Sequence, residues 1–306
     1  MKKQRQTQVV IIGSGPAGIT AAIYLKRAQI DLILLDLGAP GGKINQTAEI
    51  ENYPGIKRIF GPDLAYQLFE QLQFNNIEVE YGQASRITFL NPGFEVETDE
   101  EIIRADFVIV ATGTVERRLQ IPGEERYISR GVSFCAVCDG VLYKEKKVVV
   151  VGGGNSAFQE ALFLASLAAK VYLVHRRQGF RADEYLVQKA RETKKIEFVL
   201  EVIPLEIIGE EVVTGIVLEN TKTKEKTILK TDAVFPFIGL DPSSDFLADL
   251  GVLTPRGFIE VQANMETKVP GLYGAGDIVD KGLRQIVTAT NDGAIAAMDI
   301  AHKLRA

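Results

Sequence analysis

Two copies of a strand, a glycine-rich turn and a helix constrain this chain more than any other feature of its sequence. In the first copy the apolar, β-branched run at residues 8–12 is typical of a buried parallel strand, and helix-forming residues follow at 19–27. A second apolar run, at residues 32–35, ends at Asp36. The turn between strand and helix consists of Gly13, Ser14, Gly15, Pro16, Ala17 and Gly18.

This turn has the spacing G-x-G-x-x-G, which becomes specific for dinucleotide binding because a strand precedes it and a helix follows it. The first two glycines allow a tight turn and the close approach of a pyrophosphate to the helix N-terminus, while the third lets the helix pack on the strand. The acid that ends the second strand, Asp36, can bind a ribose hydroxyl. The first copy therefore predicts a dinucleotide-binding unit.

The second copy has the spacing G-x-G-x-x-A. Its strands are predicted at residues 147–151 and 171–174, with a helix at 158–167 between them. Its turn consists of Gly152, Gly153, Gly154, Asn155, Ser156 and Ala157. A duplication on this scale predicts an α/β protein with two Rossmann-like, three-layer domains.

The second copy ends in cations instead of an acid. His175, Arg176 and Arg177 follow its second strand, and Arg181 lies four residues further on. Cations at the place where an acid would hold a plain ribose are what a 2′-phosphate requires, so this unit is predicted to prefer NADPH to NADH. The alternative is a solvated basic turn with no ligand.

The only two cysteines, Cys135 and Cys138, stand two residues apart just before the second copy. Two thiols at this spacing can close a small disulfide ring, and a helix N-terminus that follows them would favour a reactive thiolate. Asp139 adds a group that could carry a proton. The alternatives are half of a zinc site or the structural disulfide of a secreted domain, and the scarcity of further Cys and His residues disfavours the zinc site.

The remaining patterns are weaker and mostly structural. We predict a helix at residues 62–75, a strand at 107–110 that returns to the first sheet, and a β-meander at 197–230. A strand at 271–274 leads to Asp277, and a final helix is predicted at 293–303. Residues 41–43 and 51–55 are predicted to be loops.

Charge and hydropathy exclude several classes of function. The formal net charge of −5 argues against nucleic acid as a partner, because nucleic-acid binding normally shows a basic face. The sequence contains no long apolar segment, and its beginning has no signal-peptide pattern, so we expect neither a membrane span nor export. A redox-active cysteine pair without an export signal is most at home in the reducing cytoplasm.

With two dinucleotide turns, a Cys-x-x-Cys motif between them and Gly276-Asp277 near the C-terminus, the whole sequence resembles the bacterial low-molecular-weight thioredoxin reductases. The resemblance implies an FAD-binding domain at residues 1–115 and 243–306. It also implies an NADPH-binding domain, carrying the redox-active cysteines, inserted at residues 116–242.

The same resemblance assigns residues to each cofactor. Those implied to bind FAD are Gly13, Ser14, Gly15, Pro16, Ala17, Gly18, Asp36, Gly42, Lys43, Asn52, Gly113, Gly276, Asp277, Arg284, Gln285 and Ile286. Those implied to bind NADPH are Gly154, Asn155, Ser156, His175, Arg176, Arg177 and Arg181. Lys43 departs from the glutamine common in the family, and Thr290-Asn291 replaces smaller residues, which affects expected rates and not the reaction class.

The activity implied by the resemblance is the transfer of electrons from NADPH through FAD and a Cys135–Cys138 disulfide to thioredoxin or a thioredoxin-like protein. Cys138 would face the flavin, Cys135 would attack the partner, and Asp139 would move the protons. The enzyme would be a homodimer. Arg130 and residues 141–143 fall where the family contacts thioredoxin, although the apolar ones could equally belong to the core.

Two other classes of function stay open at this point. One is a flavoenzyme that acts on another disulfide substrate, or a flavin dithiol oxidase, for which a 2′-phosphate site would have little use. The other is a non-catalytic flavoprotein that senses redox state. Purified protein of the second kind would be yellow without consuming NADPH in the presence of any disulfide.

Overall fold

The computed structural model describes residues 2–47 and 49–305; Met1 and Ala306, the outer bounds of the predicted domains, lie outside this range. The chain forms two compact units. The first consists of Met1–Val115 and Asp241–Ala306, and the second, Glu116–Leu240, is inserted between these two segments. Among the described residues, no helix has the length and apolar character needed to cross a bilayer.

The first unit is built around one large sheet with helices packed on it. Its helices are α1 (Pro16–Arg27), α2 (Gly61–Phe74) and α6 (Ile286–Lys303). Its strands are β1 (Lys3–Ile12), β2 (Leu32–Asp36), β3 (Glu49–Ile50), β4 (Ile59–Phe60), β5 (Val79–Tyr81), β6 (Arg86–Phe89), β7 (Phe94–Glu97), β8 (Glu101–Val110) and β18 (Leu272–Gly274).

The strands of this sheet follow the order β5-β2-β1-β8-β7-β6, and β18 pairs with β8 beyond the end of β7. All pairings of β5, β2, β1, β8 and β18 are parallel, whereas β7 and β6 form an antiparallel hairpin at the edge. The predicted strand at residues 107–110 therefore does return to the first sheet, beside β1. Parallel pairing brings the carboxyl ends of β1, β2 and β18 to one edge, where ligands bind in folds of this kind.

Both faces of the sheet are buried, as the apolar runs predict. Val9 and Ile11 point to the layer formed by α1 and α6, where Ala21 and Ala297 are fully buried. The alternate residues Val10 and Ile12 point to the opposite layer, which contains segments from residues 247–279. The sheet is thus the middle of three layers.

The second unit has the same plan on a smaller scale. Its helices are α3 (Ala136–Asp139), α4 (Asn155–Leu167) and α5 (Glu184–Glu192). Its strands are β10 (Lys147–Gly152), β11 (Lys170–His175), β12 (Ile196–Leu200), β13 (Val202–Gly209), β14 (Val213–Asn220), β15 (Lys226–Lys230) and β16 (Ala233–Phe237). A parallel sheet of order β12-β11-β10-β16 lies between the helices and the antiparallel sheet β13-β14-β15. The predicted α/β fold with two Rossmann-like units is confirmed.

The two connections between the units run side by side. They are β9 (Thr114–Glu116) and β17 (Leu240–Pro242), which pair as a two-stranded sheet. The amide of Arg117 donates to the carbonyl oxygen of Gly239 at 2.9 Å, and the amide of Ser243 donates to that of Gly113 at 3.2 Å. The chain therefore leaves the first unit next to the place where it returns.

Two predicted elements differ from the structure. The strand Ile196–Leu200 is not part of the meander, because it pairs in parallel with β11 and so belongs to the central sheet. The final helix begins at Ile286 and not at residue 293, because the side chains of Gln285 and Thr288 form a capping box that satisfies the first amides.

Candidate flavin, nucleotide and redox sites

The first glycine turn is shaped by two close backbone contacts. A methyl group on Gly13, whose φ is +105°, would lie 2.4 Å from the carbonyl oxygen of Ala111, and one on Gly18 would lie 1.8 Å from that of Gly13. Both positions therefore require glycine for packing alone. Gly15 is different, since no atom of the described residues comes within 4 Å of the corresponding point. Gly15 is the N-cap of α1 and no side chain of the described residues caps this helix, so the turn leaves room for a ligand in front of its first amides.

Asp36 ties the end of β2 to the same turn. One oxygen of its carboxylate accepts the amide of Ser14 at 2.5 Å and the Ser14 hydroxyl at 2.7 Å, and the other accepts the amide of Gly38 at 2.8 Å. A carboxylate has about four acceptor sites, so Asp36 keeps capacity for a ribose hydroxyl. The glycine turn and the acid predicted to bind a ribose hydroxyl therefore lie side by side.

The segment that contains Gly42 and Lys43 packs on this turn. The amide of Gly41 donates to the carbonyl oxygen of Ser14 at 2.8 Å, and a methyl group on Gly42 would lie 3.3 Å from Cα of Gly15. Gly41 and Gly42 both have positive φ, at 106° and 55°, which glycine adopts without strain. A segment predicted to be an irregular loop thus forms one wall of the candidate site.

Asp277 forms another wall and carries an unsatisfied acceptor. Gly276, just before it, would place a methyl group 2.9 Å from Cβ of Ala17 on α1, so the two segments are in close contact. The Oδ1 atom of Asp277 is buried and has no hydrogen-bond partner among the described residues. Burial raises the pKa of Asp277, and the nearby charges of Lys281 and Lys43 oppose this shift. A buried acceptor in a segment that packs on the start of α1 fits a ligand that brings a hydroxyl donor.

Arg284 shapes the loop after Asp277. Its guanidinium donates to three backbone carbonyl oxygens, those of Asp277 at 3.0 Å, Val279 at 3.0 Å and Lys281 at 2.9 Å, and it lies 4.2 Å from the ring centroid of Phe258. All of these donors serve the protein itself. The family resemblance implies that Arg284 lies along the flavin, and in the structure its guanidinium also supports the Asp277 loop.

The other predicted residues of the first unit lie at the start of α6 and at the end of β8. The side-chain amide group of Asn52 donates through Nδ2 to Oε1 of Gln285 at 3.0 Å, which brings these two predicted residues together. Ile286, the first residue of α6, packs against the cluster that contains Ile44. Gly113 has a φ of +65° and an open position for a side chain among the described residues.

The glycine turn of the second unit repeats the plan of the first. A methyl group on Gly152 would lie 2.4 Å from the carbonyl oxygen of Phe237, and one on Gly153 would lie 2.3 Å from the imidazole of His175. Gly154, the N-cap of α4, again has no described atom within 4 Å of that point. Asn155 and Ser156 then form the first turn of α4. The open position in front of a helix is therefore common to both units.

The predicted cations stand beside this second turn. Arg176, Arg177 and Arg181 are exposed, and within residues 2–47 and 49–305 no acid forms an ion pair with any of them. Burial lowers the pKa of His175, and the charges of the three arginines lower it further, while a contact of 3.2 Å between Nε2 and the carbonyl oxygen of Gly179 opposes the shift. The cluster thus offers three available guanidinium groups next to the imidazole of His175.

The redox motif forms a closed disulfide. Cys135 and Cys138 are bonded to each other, and Cys135 is the N-cap of the short helix α3. The amide of Cys138 donates to Sγ of Cys135 at 3.1 Å. Cys135 is half-buried and Cys138 is exposed, so the disulfide can be reached from solvent. Asp139, at the end of α3, is half-buried beside the pair.

The residues after the disulfide divide between surface and core. Val141 and Leu142 are 65% and 72% exposed. Tyr143 instead packs edge-on against Phe235, with 5.8 Å between the ring centroids. Burial raises the pKa of the Tyr143 hydroxyl, and the charge of Asp139 adds to this. The sequence left open whether residues 141–143 belong to the surface that meets a partner or to the core. In the structure Val141 and Leu142 lie on the surface, and Tyr143 packs in the core.

Sequence reasoning missed a buried acid on α4. Glu160 is 8% exposed, its Oε2 atom has no partner in the described part of the chain, and burial together with the charge of Glu116 raises its pKa to about 8. The sequence carries a signal for this residue, because Glu160 stands between Ala157, Ala161 and Leu164 on the apolar face of a predicted helix. An acid at such a position is costly unless it stays protonated.

Comparison with known proteins extends the likeness over both units. A family model described as pyridine nucleotide-disulphide oxidoreductase matches residues 7–293. The thioredoxin reductase of Bacillus subtilis is 41% identical over 303 residues, which cover 99% of this chain and 96% of that protein. A crystal structure of Lactococcus lactis thioredoxin reductase has a TM-score of 0.95 and 42% identity, covering 97% of this chain and 98% of that one. The T. acidophilum thioredoxin reductase has a TM-score of 0.93 and 33% identity, covering 99% and 100%.

Proposed function

Because this chain belongs to the pyridine nucleotide-disulphide oxidoreductase family, we propose that it reduces the disulfide of thioredoxin or a thioredoxin-like protein, with NADPH as electron source and FAD as its flavin. The observation that carries the proposal is the accessible Cys135–Cys138 disulfide, in the unit that also holds the glycine turn and the arginine cluster. Relatives that match nearly the whole chain at about 40% identity and are named thioredoxin reductases support it.

The family is one of enzymes that use a flavin and a nicotinamide nucleotide, and this chain is such an enzyme. When bound, the nicotinamide nucleotide supplies a hydride, and the flavin passes the two electrons on to a disulfide. The protein has to bind both groups, keep them oriented and provide the thiols that meet the substrate.

The first unit fits FAD. Its pyrophosphate would lie over Gly15, against the amides at the start of α1, with Asp36 available for a ribose hydroxyl. The unsatisfied oxygen of Asp277 would accept a hydroxyl from the ligand. Lys43 and the Asn52–Gln285 pair supply further polar groups. Asp36 and Asp277 keep hydrogen-bonding capacity among the described residues, and Gly15 leaves open space in front of the helix.

The second unit fits NADPH. Its pyrophosphate would lie over Gly154 and the first turn of α4, formed by Asn155 and Ser156. A 2′-phosphate would meet the guanidinium groups after β11 instead of the acid that a plain ribose needs. A solvated basic turn would also be exposed, but it would have no reason to follow a glycine turn with an open helix N-terminus.

The cysteines then perform the exchange with the substrate. Reduction of the disulfide by two electrons, with uptake of two protons, gives two thiols. The Cys135 thiolate attacks one sulfur of the partner disulfide and forms a mixed disulfide, with the electron pair of the broken bond leaving on the other partner sulfur. The Cys138 thiolate next attacks Sγ of Cys135, which restores the internal disulfide and releases the partner as a dithiol. Asp139, the last residue of α3, would exchange protons with these sulfurs.

Surface features support a protein partner. Val141 and Leu142 expose apolar side chains immediately after the disulfide, and Arg130 is exposed nearby in the sequence. The proposal includes a homodimer, which the exposed aromatic rings of Tyr66 and Phe74 in the first unit support. It also includes a cytoplasmic location, where thiols stay reduced.

The first experiment mixes the FAD-loaded protein anaerobically with NADPH or with NADH and follows bleaching of the flavin. The second adds a thioredoxin and a disulfide reporter, with the Cys138→Ser protein as the control. We expect rapid bleaching by NADPH and reporter reduction that requires both thioredoxin and Cys138. Bleaching without turnover of thioredoxin would point to another disulfide substrate, and the absence of bleaching would overturn the electron-donor assignment.

A further inference from the structure

The loop that carries the arginine cluster is tied to the second glycine turn at two points. The amide of Arg181 donates to the carbonyl oxygen of Gly153 at 2.8 Å. Two residues further on, Asp183 and Asn155 form a reciprocal pair: the Asn155 amide group donates to the Asp183 carboxylate at 2.9 Å, and the Asp183 backbone amide donates to the Asn155 oxygen at 2.8 Å. Loop and turn are therefore held together as one piece.

An aromatic anchor, the ring of Phe180, attaches the loop to the core of the second unit. The ring of Phe180 packs edge-on against fully buried Phe158 of α4, with 4.9 Å between centroids, and lies 5.6 Å from Phe198 of β12. The imidazole of His175 lies 5.5 Å from the same ring. Phe180 is thus the one apolar side chain of residues 176–181 and is inserted among rings from three other elements.

The Phe180 anchor matters because the arginine side chains of the loop have no ion-pair partners of their own among the described residues. The three arginines carry like charges and have no acidic partner in the described parts of the chain, so nothing but the backbone fixes their relative positions. An arginine side chain loses rotational freedom when it binds a phosphate. If the backbone of the loop is already fixed, binding does not also carry the entropy cost of ordering the loop. A loop released from its anchor would have to be ordered anew for each ligand.

We propose that Phe180 is a positioning residue for recognition of the 2′-phosphate: its ring, supported by the Asn155–Asp183 pair, keeps the arginine loop in the geometry that distinguishes a 2′-phosphorylated dinucleotide from an unphosphorylated one. The proposal rests on the proposed NADPH site and adds to it the residues that make the site selective. The ring touches no ligand; it acts through the backbone of the loop.

The test measures nucleotide binding to the FAD-loaded protein by calorimetry, with 2′,5′-ADP as the probe and 5′-ADP as the matched ligand without the 2′-phosphate. For Phe180→Ala we expect the Kd of 2′,5′-ADP to rise about tenfold, the loss of roughly one charge-assisted contact, while the Kd of 5′-ADP stays within about twofold. Phe180→Leu, which keeps an apolar anchor, should restore most of the selectivity. Phe89→Ala, a half-buried ring of the first unit that pairs with Phe94, serves as the control and should leave both constants unchanged.

The outcomes separate the two levels of the proposal. A wild-type protein that binds both probes equally would overturn the NADPH assignment and the anchor with it. A wild-type preference that Phe180→Ala retains in full would overturn the anchor alone. If Phe180→Ala does not fold, the test uses Asp183→Ala, because Asp183 is exposed and its side chain accepts the hydrogen bond from Asn155. This variant should reduce the preference for 2′,5′-ADP over 5′-ADP about threefold. An unchanged preference would contradict the proposal.

Discussion

The backbone amide of Cys138 donates to Sγ of Cys135 across 3.1 Å, whereas Sγ of Cys138 accepts no such bond among the described residues. A hydrogen bond from an amide stabilises a thiolate more than a thiol. After reduction, we expect Cys135 to form its thiolate at lower pH than Cys138 does. This asymmetry fits the role proposed for Cys135 as the thiol that attacks the partner.

The check is the rate of alkylation by iodoacetamide between pH 5 and pH 9 in Cys135→Ser and Cys138→Ser, each with one thiol left. The protein that retains Cys135 should react about threefold to tenfold faster at pH 7. Equal rates at every pH would contradict the asymmetry. Unfolded samples of both variants provide the reference rate for each thiol.

Substitutions at two glycines of the first turn should have different effects, one on the stability of the protein and the other on its affinity for FAD. Gly13→Ala places a methyl group 2.4 Å from the carbonyl oxygen of Ala111 at a positive φ, so we expect the apoprotein to lose on the order of 2–4 kcal/mol of stability. Gly15→Ala meets open space at an ordinary φ of −72° and should change apoprotein stability by less than about 0.5 kcal/mol. Its methyl group would instead occupy the place proposed for the pyrophosphate, so FAD affinity should fall at least about tenfold.

Thermal denaturation of the apoproteins and fluorescence titration with FAD give the two readouts. Gly154→Ala, the equivalent change in the second unit, is the matched control, which should weaken nucleotide binding there and leave FAD affinity intact. Normal FAD affinity in Gly15→Ala would rule out the proposed position of the pyrophosphate.

The buried acid on α4 should make the protein less stable as pH rises. The pKa of Glu160 is about 8 in the folded protein and about 4.3 in an unfolded chain, so between these values the folded state holds the extra proton. The free energy of unfolding therefore decreases as pH rises through this window. Glu160→Gln should stabilise the protein by on the order of 3–5 kcal/mol at pH 8 but only about 1 kcal/mol at pH 5.

Denaturant unfolding of the wild type and Glu160→Gln at pH 5, 6.5 and 8 measures this difference. The control is Glu192→Gln, which removes an exposed glutamate at the end of α5 and should change stability by less than about 0.5 kcal/mol at each pH. A gain for Glu160→Gln that does not depend on pH would show that its carboxyl is charged in the folded state.

The ion pair between Lys281 and Asp292 should connect α6 to the Asp277 loop. The two charged groups are 2.5 Å apart with side chains only 16% and 8% exposed, and Asp292 also accepts the amide of Gly276 at 3.0 Å. Lys281→Met leaves a buried carboxylate without its cation and should cost about 3 kcal/mol. The double variant Lys281→Met/Asp292→Asn should recover most of that loss, because asparagine can still accept the Gly276 amide without a charge.

A double-mutant cycle by denaturant unfolding gives the coupling between the two residues, and the single variant Asp292→Asn completes the cycle. Additive losses in the double variant would contradict the coupling.

The sequence was sufficient to predict the family and the two-unit α/β fold because each rested on local patterns. The glycine turns follow apolar runs and precede helices, and the members of the cysteine pair and of the cation cluster lie within a few residues of one another. The resemblance built on these motifs is confirmed by relatives that match nearly the whole chain. The residue-by-residue cofactor assignments stay predictions, which the glycine variants test.

Features that depend on distant partners could not be predicted. Whether Ile196–Leu200 joins a meander or the central sheet depends on its pairing with β11, and this is not encoded in the strand itself. Arg284 was assigned by resemblance to the family, and its three bonds to carbonyl oxygens were not predicted because they depend on how the Asp277 loop folds. Phe180 and Asp183 became informative only once their contacts with Phe158 and Asn155 were known.

The paired connections β9 and β17 have a consequence for how this chain can be rearranged. Neighbouring strands lie about 5 Å apart, so the two ends of the inserted unit are adjacent, as are the two ends that its removal would leave at Gly113 and Ser243. A few small residues could therefore close either gap without displacing a core strand. The inserted unit could therefore be exchanged between relatives as one continuous segment, without a cut in any core strand of the first unit.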